Sequence, residues 1–329
     1  MEKVSFALAK EFSKKVDTTL ITWGKSQKYL LLVIVIFLIK SLYLIPTKKI
    51  THVHLGDALL SPLGLLIKVL FKIKVTTTIC GLDMTYKLSL YQFIIPKCVK
   101  RLDKIIPISD STLEECIKRG VPREKCKVIH CGVYPKEFQL KTRRRDLEKI
   151  INRKLDGKKV IITVGRLVQR KGVFWFIENV FSKLDKQFVY LIIGEGSDKR
   201  RVEYLIQALG FQNRIFLLGK VSTQELKIIY NTSDLFIMPN IKVDNDIEGF
   251  GIVAIEAGST GLPMVTSNID GIPNAIMKGS HIKTPPFDAA KMNKNIKRAI
   301  GLKRNVKNFN NRKFDWTILS SKYLYTFEN

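Results

Sequence analysis

Hydrophobic and polar residues alternate along the chain in two recurring patterns. Short apolar runs, typical of buried parallel strands, are separated by longer stretches whose apolar residues recur at helical spacing. This alternation predicts βαβ units and an α/β fold with parallel sheets. In the first half the predicted strands are 18–23, 50–55, 75–80, 104–108 and 127–131, and the predicted helices are 59–71 and 111–119, the second capped by Ser109 or Asp110.

The second half repeats the alternation more clearly. Ser222 and Glu225 form an S-x-x-E capping box, which predicts a helix running to about Tyr230. A closing helix is predicted within 314–327, packed by Trp316 and Tyr323. The other predicted strands are 160–164, 188–193, 214–218, 235–238 and 263–266, and the other predicted helices are 173–184 and 199–209.

These elements predict two Rossmann-like domains with parallel sheets. The first covers residues 1–139 and the second 158–311, followed by the closing helix within 312–329. Residues 140–157 interrupt the alternation with the charged run KTRRRDLEK, so we predict an exposed linker there.

Residues 29–39 form an apolar run. Eleven uncharged residues precede Lys40, which is shorter than the roughly 20 apolar residues that a spanning helix needs. We therefore predict a buried helix of an α/β domain, with an interfacial, membrane-touching helix as the alternative. Residues 1–17 have the pattern of a charged amphipathic helix and not that of a signal peptide.

Composition narrows the class of protein. The chain has 329 residues, enough for two domains, and 46% of them are hydrophobic, which favours a globular protein over a disordered one. A net charge of +27 favours anionic partners: phosphate-bearing ligands, acidic lipid surfaces or nucleic acid. The sequence has no clustered aromatic–basic stripe, so we expect no nucleic-acid partner. Five cysteines without a C-x-x-C pair indicate reduced thiols in a cytoplasmic protein.

The candidate chemistry centres on residues 234–274. A predicted strand ends in a polar loop carrying Glu248, and a predicted helix then opens at Gly249, Phe250 and Gly251 and carries Glu256. Free amides at a helix start attract anions, and glycines let the backbone approach a ligand closely. Two carboxylates flanking such a helix start suit a hydroxyl-rich, anionic ligand. Alternatively, the two are an ordinary loop acid and a helix-surface glutamate.

A second candidate loop, GRLVQRKG, follows the predicted strand 160–164. Arg166 and Lys171 would lie at the carboxyl edge of a parallel sheet, where open α/β sheets bind ligands, and a diphosphate is the natural anion for them. Gly194 ends the next predicted strand at the same edge. In so basic a chain, the alternative is that both cations are surface charges.

The ordered set GRLVQRKG, IIGEGSDKRRVE, FLLGKVSTQEL, YNTSDLFIMPN and EGFGIVAIEAGSTGLPMVTSNIDGIPNAI resembles the group 1 glycosyltransferases. Weaker similarity covers the first half, in HLGDALLSPLGLL and ISDSTLEECIKRGVPREKCKVIHCGV. The resemblance implies a retaining, nucleotide-sugar-dependent enzyme of GT-B architecture, with two facing Rossmann-like domains. Its substrates would be a nucleotide-sugar donor and a glycan or lipid-linked acceptor. Cell-surface polysaccharide or glycolipid synthesis is the expected role, in the cytoplasm or peripherally at an anionic inner membrane face.

The resemblance also implies residue roles. Glu248 and Glu256 match the paired glutamates of the family's E-x7-E element, with Glu256 on the ribose hydroxyls and Glu248 near the donor sugar. Arg166 and Lys171 match the phosphate-binding cations. The amides of residues 249–251 would stabilise the charge that grows on the departing diphosphate without a metal. Retention without an evident nucleophile implies front-face attack, in which the leaving phosphate helps to deprotonate the acceptor.

Two departures from the family pattern stand in the first half. Cys80 occupies a position where many relatives have histidine, while Asp83 keeps its place as a candidate catalytic residue on the acceptor side. Relatives begin with a strand and a Gly-rich loop before a helix that resembles residues 1–12. We therefore expect this chain to start after that first strand.

The alternatives to this function are a nucleotide-sugar epimerase of the same fold, an inactive truncated paralogue, and a basic nucleic-acid-binding protein. Asp244, Asn245 and Asp246 form a D-x-D sequence, the metal–diphosphate signature of another glycosyltransferase fold. Because it lies in a polar loop and not at a strand end, we expect neither a metal nor another cofactor.

Overall fold

A computed structural model describes residues 2–22, 30–276, 281–306 and 313–328. The chain divides into two compact units. The first comprises Met1–Gly132 together with Trp316–Asn329, and the second comprises Val133–Asp315. Residues 277–280 and 307–311 of the predicted second domain lie outside the described residues, and so does residue 312 of the predicted closing segment.

The first unit contains, within its described residues, a sheet of three parallel strands in the order β1–β2–β3. The strands are β1 (His52–Leu55), β2 (Lys74–Ile79) and β3 (Lys104–Pro107). The helices are α1 (Glu2–Phe12), α2 (Leu30–Thr47), α3 (Ser61–Phe71), α4 (Leu82–Thr85), α5 (Ser89–Val99), α6 (Asp110–Lys118) and, from the far end of the chain, α14 (Trp316–Glu328).

Local sequence explains where several of these helices begin. Pro62 lies in the first turn of α3, where a missing amide costs nothing, so the predicted helix 59–71 starts at Ser61 after a 3₁₀ turn. Ser109 is the cap of α6, and its hydroxyl accepts the Thr112 amide. Helix α14 is confirmed, with Trp316 and Tyr323 both buried.

Three predictions for the first unit are wrong. Residues 18–22 form no strand, Leu20 is 53% exposed, and Trp23 lies outside the described residues. Residues 127–131 run beside β3 through two backbone hydrogen bonds but do not form a regular strand. Helix α2 is present but only one side of it is buried, because Val33 and Ile45 face inward while Val35 and Ile39 are 51% and 61% exposed.

The second unit contains, in the part of it that is described, a six-stranded parallel sheet in the order β6–β5–β4–β7–β8–β9. Its strands are β4 (Lys159–Val164), β5 (Phe188–Ile193), β6 (Ile215–Gly219), β7 (Leu235–Met238), β8 (Met264–Ser267) and β9 (His281–Thr284). Its helices are α7 (Pro135–Phe138), α8 (Arg144–Ile151), α9 (Val173–Asn179), α10 (Lys199–Ala208), α11 (Thr223–Thr232), α12 (Ile252–Ser259) and α13 (Ala289–Ala299). The predicted α/β class with parallel sheets is confirmed.

The sequence patterns of the second unit reappear in its structure. The capping box is formed, with the Ser222 amide 2.7 Å from the Glu225 carboxylate and the Glu225 amide 3.1 Å from the Ser222 hydroxyl. Strands β4 and β5 are almost entirely buried, as parallel strands covered on both faces must be. The predicted linker 140–157 contains α8, whose Leu147 is buried and whose Arg144 forms an ion pair with Asp234. In the described part of the chain no helix is both long and apolar enough to cross a bilayer.

Candidate active site

The sheet of the second unit brings two loops together. Strands β4 and β7 are hydrogen-bonded parallel neighbours, so the loop after Val164 and the loop after Met238 leave the same edge. The first loop carries Arg166, Arg170 and Lys171. The second carries the D-x-D sequence and Glu248.

Glu248 is the anionic centre of this edge. Its residue is only 8% exposed, and its Oε2 lies 2.6 Å from Lys171 Nζ and 3.6 Å from Arg170 Nε. The Asn240 side-chain amide donates to the same oxygen over 3.1 Å. Burial alone would raise the pKa of the Glu248 carboxyl, but the charges of Lys171 and Arg170 and these hydrogen bonds hold it below its ordinary value. Glu248 is therefore held ionised although it is buried.

The backbone around Glu248 is fixed as firmly as its carboxylate. The Glu248 amide donates to Asp270 Oδ2 at 3.0 Å, and the Gly271 amide donates to the Glu248 carbonyl at 2.9 Å. Asp270 itself has a φ of 50°, an uncommon value for a residue with a side chain. Burial raises the pKa of the Asp270 carboxyl, and the hydrogen bond from the Glu248 amide partly offsets this. The turn after β8 thus fixes the backbone of Glu248 through hydrogen bonds to its amide and its carbonyl.

The two predicted diphosphate cations have different environments. Lys171 is buried and ion-paired with Glu248, whereas Arg166 is exposed and forms no ion pair with any residue that the structure describes. Arg166 is accordingly the more accessible cation for an incoming anion. Lys171 is already paired with Glu248. Its side chain also packs against Gly165, where an added Cβ would lie 3.3 Å from Lys171 Nζ.

Helix α12 begins at Ile252, one to three residues later than predicted, with Gly251 as its cap. Gly251 has a φ of 84°, a conformation that residues with a side chain rarely adopt, which explains this glycine at the helix start. Gly249 is half-buried beside it. Phe250 is buried, with its ring 5.8 Å from that of Phe314, so the ring belongs to the core of the unit.

Glu256 lies inside α12 and is 3% exposed, not a helix-surface residue. The Tyr230 hydroxyl donates to its Oε2 at 3.0 Å. The Tyr230 carbonyl in turn accepts from Arg304 at 2.9 Å, which fixes the end of α11. The pKa of Tyr230 is raised, first by burial and then by the neighbouring Glu256 carboxylate, so the phenol stays a donor.

Gly194 closes the same edge of the sheet. A Cβ at this position would lie 1.9 Å from the Gly165 carbonyl oxygen, and its φ is 134°. Only glycine therefore lets the turn after β5 approach the loop that carries Arg166 and Lys171.

Asp83 belongs to the first unit, on α4 just after β2. It is buried, and both of its carboxylate oxygens lie 3.0 Å from the Cys80 amide. Burial, with the nearby Asp57 charge, raises the pKa of Asp83 to about 7. Such a carboxyl changes its protonation state near neutral pH. The Cys80 thiol has a pKa raised by burial, so it does not offer a ready thiolate.

Sequence reasoning missed three residues of this site: Arg170, Asn240 and Asp270. Arg170 is 7% exposed, and its guanidinium reaches Asp246 Oδ1 at 3.4 Å as well as Glu248. Asp246 of the D-x-D sequence is thus engaged by a cation of the same unit. Arg170 lies inside the motif that pointed to Lys171, and its position between two important residues was the signal that could have identified it.

Two family models match the chain. The model for glycosyl transferases group 1 matches residues 144–316, and the model for glycosyltransferase family 4 matches residues 4–137. An uncharacterized glycosyltransferase of Methanocaldococcus jannaschii is 34% identical over 51% of this chain and 43% of its own length. A putative colanic acid biosynthesis glycosyltransferase, WcaL of Escherichia coli, is 30% identical over 62% of this chain and 49% of its own length. The chain therefore spans about half the length, or less, of these curated relatives.

Solved structures share the fold. HepE of Anabaena, in complex with UDP, superposes with a TM-score of 0.76 at 16% identity, covering 93% of this chain and 84% of HepE. A glycosyltransferase of Rickettsia africae superposes with a TM-score of 0.75 at 20% identity, covering 99% of this chain and 94% of its own. The predicted GT-B architecture is confirmed by this likeness. With a family model matching more than half of its residues, the chain belongs to the group 1 glycosyltransferases.

Proposed function

We propose that this protein is a retaining glycosyltransferase that moves a sugar from a nucleotide-sugar to a glycan or lipid-linked acceptor. The observation that carries the proposal is the buried cluster in which Lys171 and Arg170 hold Glu248 ionised at the carboxyl edge of β4 and β7. Maintaining a buried carboxylate requires dedicated partners, and a chain gains little stability from such a cluster. Binding of a polar, charged substrate at this edge of the sheet would give the cluster of Glu248, Lys171 and Arg170 a functional role.

Each site residue has a role in this proposal. Glu256 accepts hydrogen bonds from the ribose hydroxyls, and Glu248 contacts the donor sugar. When the sugar–phosphate bond breaks, its electron pair leaves with the diphosphate, whose growing charge is stabilised by Arg166, Lys171 and the amides of residues 249–251. The acceptor oxygen attacks from the same face, and its proton passes to the departing phosphate. Asp83 is proposed to orient the acceptor hydroxyl.

The biological setting is part of the proposal. WcaL is named for colanic acid biosynthesis, and a relative from Erwinia amylovora for amylovoran biosynthesis. HepE was solved with UDP and also with UDP-glucose. We infer a UDP-sugar donor as the first to test, and a role in cell-surface polysaccharide or glycolipid synthesis. The enzyme would act in the cytoplasm, peripherally at the inner face of the membrane, without a metal or other cofactor.

The test is a panel of nucleotide-sugars that begins with UDP-hexoses. Thermal shift measures binding, and release of the nucleoside diphosphate measures turnover with and without added acceptor. We expect one donor to stabilise the protein and to be hydrolysed slowly, and the anomeric configuration of the product to match that of the donor. Interconversion of the donor sugar without diphosphate release would indicate an epimerase. Salt-sensitive binding to unrelated DNA, with no donor binding at all, would overturn the proposal.

A further inference from the structure

Exposed apolar side chains are concentrated in one stretch of the first unit. Fourteen large hydrophobic residues exposed in the described structure lie between Leu32 and Ile94, whereas the second unit has four. Scattered exposed hydrophobic residues are normal, but a concentrated set marks a surface that contacts something apolar. Most of this set lies on three helices, α2, α3 and α5, and the rest are Leu82 on α4 and Tyr86 and Leu88 in the turn before α5.

Helix α2 presents the clearest stripe. Its exposed apolar residues follow one another at steps of three or four, which places them on one face of the helix. The opposite face packs into the core of the unit through Val33 and Ile45. The exposed face is formed by Leu32, Val35, Ile39, Leu42 and Tyr43, whose exposed fractions range from 45% to 68%.

Helices α3 and α5 continue the pattern beside α2. Helix α3 contacts both α2 and α5, so the three helices are direct neighbours with α3 in the middle. Each keeps a buried face, which includes Ile67 on α3 and Ile95 on α5. The exposed residues of this pair are Leu66, Val69 and Leu70 on α3 and Leu90, Phe93 and Ile94 on α5.

Most of the charges along this stretch of the chain are positive, although Lys68 on α3 forms an ion pair with Asp103 at 2.6 Å. Residues 30–101 contain ten lysines and arginines but only two acidic residues, Asp57 and Asp83, and none of the acids is on α2, α3 or α5. Lys97 extends over the Phe93 ring, 3.4 Å from its centroid, as a basic side chain does when its stem covers an apolar surface. Two copies of this surface would face each other with like charges. An anionic partner with an apolar interior suits it better.

We propose that the exposed faces of α2, α3 and α5 form a docking surface for a bilayer containing anionic lipids. The apolar stripes enter the boundary between headgroups and acyl chains, while Lys40, Lys97 and the other basic residues contact lipid phosphates. Helix α2 then lies in the plane of the interface, which is consistent with its length and its one buried side. This inference deepens the proposed function, because it brings the enzyme to the leaflet in which a lipid-linked acceptor resides.

The experiment is vesicle flotation of the 329-residue chain. One vesicle preparation contains equal parts of phosphatidylcholine and phosphatidylglycerol, and the other contains phosphatidylcholine alone. We expect binding to the anionic vesicles to be about tenfold or more tighter and to weaken with salt. The double variants Ile39→Glu/Leu42→Glu on α2 and Leu90→Glu/Phe93→Glu on α5 should each reduce it by at least about tenfold, since they place like charges on the apolar stripe.

The matched control is Tyr204→Glu/Leu209→Glu, which changes two exposed apolar residues of the second unit and should leave vesicle binding unchanged. Circular dichroism and donor thermal shift check that every variant is folded. Equal binding to both vesicle types, or full binding by the α2 and α5 variants, would overturn the proposal. So would a stable dimer that these substitutions dissociate while vesicle binding persists.

The two proposals fail separately. If no nucleotide-sugar binds but flotation depends on α2 and α5, the docking surface stands without the proposed reaction. If donor turnover proceeds while flotation is absent, the reaction stands and the docking surface is wrong.

Discussion

Lys171 and Glu248 form a buried ion pair that joins the ends of two neighbouring strands, with 2.6 Å between Nζ and Oε2. One partner follows β4 and the other follows β7. Removing one member of such a pair leaves the other charge buried and unpaired, which typically costs about 3–5 kcal/mol. The pair therefore controls both the local stability and the ionisation of the proposed catalytic carboxylate.

The first prediction concerns the acid limb of the pH profile. In Lys171→Met, burial acts on the Glu248 carboxyl with less opposition, so its pKa should rise from below its ordinary value. A carboxyl whose pKa is depressed in the folded state stabilises the fold above its unfolded pKa, and this contribution is lost as pH falls through the folded pKa. With a raised Glu248 pKa, the variant should therefore lose stability and turnover at a higher pH than the parent. Donor turnover and urea unfolding from neutral to acid pH measure the shift.

Lys171→Arg keeps the charge and should retain most of the parent acid limb. Lys199→Met provides a matched control, since Lys199 forms a comparatively exposed pair with Glu195 at 3.0 Å and should change stability by no more than about 1 kcal/mol. An acid limb for Lys171→Met identical to that of the parent would contradict this account of Glu248.

The second prediction separates the two glutamates. Glu248→Gln should mainly lower kcat, because its proposed partner is the reacting sugar. Glu256→Gln should mainly weaken donor binding, by about 1–3 kcal/mol, because a charged hydrogen bond to the ribose is lost. Tyr230→Phe removes the hydroxyl that donates a hydrogen bond to Glu256 Oε2. It should weaken nucleotide-sugar binding by less than Glu256→Gln does. Glu178→Gln, on the exposed surface of α9, is the control. Equal and negligible effects at both glutamates would remove the basis of the proposed site.

The third prediction concerns Asp83. Since its pKa is raised to about 7, the folded protein binds a proton that the unfolded chain has lost, so the contribution of Asp83 to the stability of the first unit should decrease as pH rises from about 4 to about 7. The buried His52 and His54, whose pKa values burial lowers to about 4 and about 3, contribute in the opposite direction over this range, so the Asp83 contribution is measured as a difference between variants. Each pKa unit corresponds to about 1.4 kcal/mol. Asp83→Asn should abolish this decrease, whereas Glu114→Gln, an exposed position on α6, should preserve it. Urea unfolding at pH 5 and pH 8 with a probe in the first unit gives the comparison, and the same pH dependence in the parent and in Asp83→Asn would refute the prediction.

The fourth prediction is that donor turnover continues in excess EDTA, because cations and helix amides of the chain already face the diphosphate in the proposed site. Asp244→Ala should have little effect, since Asp244 is exposed. Asp246→Ala removes a partner of Arg170 and should lower turnover modestly, equally with and without metal. A strict requirement for Mn²⁺ or Mg²⁺ that either substitution abolishes would assign the D-x-D sequence to a metal instead.

Features that depend on neighbouring residues along the chain were predictable. The capping box at Ser222 and Glu225, the glycines of the sheet edge and the buried strands β4 and β5 are each specified within a few residues. The pairing of Lys171 with Glu248 was not predictable, because it depends on which strands become neighbours in the sheet.

The first unit shows a second limit. An apolar run such as that of α2 has the same composition whether the helix is covered on all sides or on one, so composition did not reveal its exposed face. Residues 18–22 have the apolar pattern of a strand, yet a strand also needs a hydrogen-bonding neighbour, and none of the described strands pairs with them. Burial and pairing are properties of the assembled unit.

Helix α14 follows the whole second unit in the chain but belongs to the first. Tyr323 and Phe327 pack against Phe12 and His54, so all of residues 133–315 must be synthesised before the first unit can be completed. Until α14 has been synthesised, the apolar residues of the first unit that it covers therefore stay exposed. Chaperone capture and aggregation of the first unit should accordingly concentrate in the interval before α14 is available.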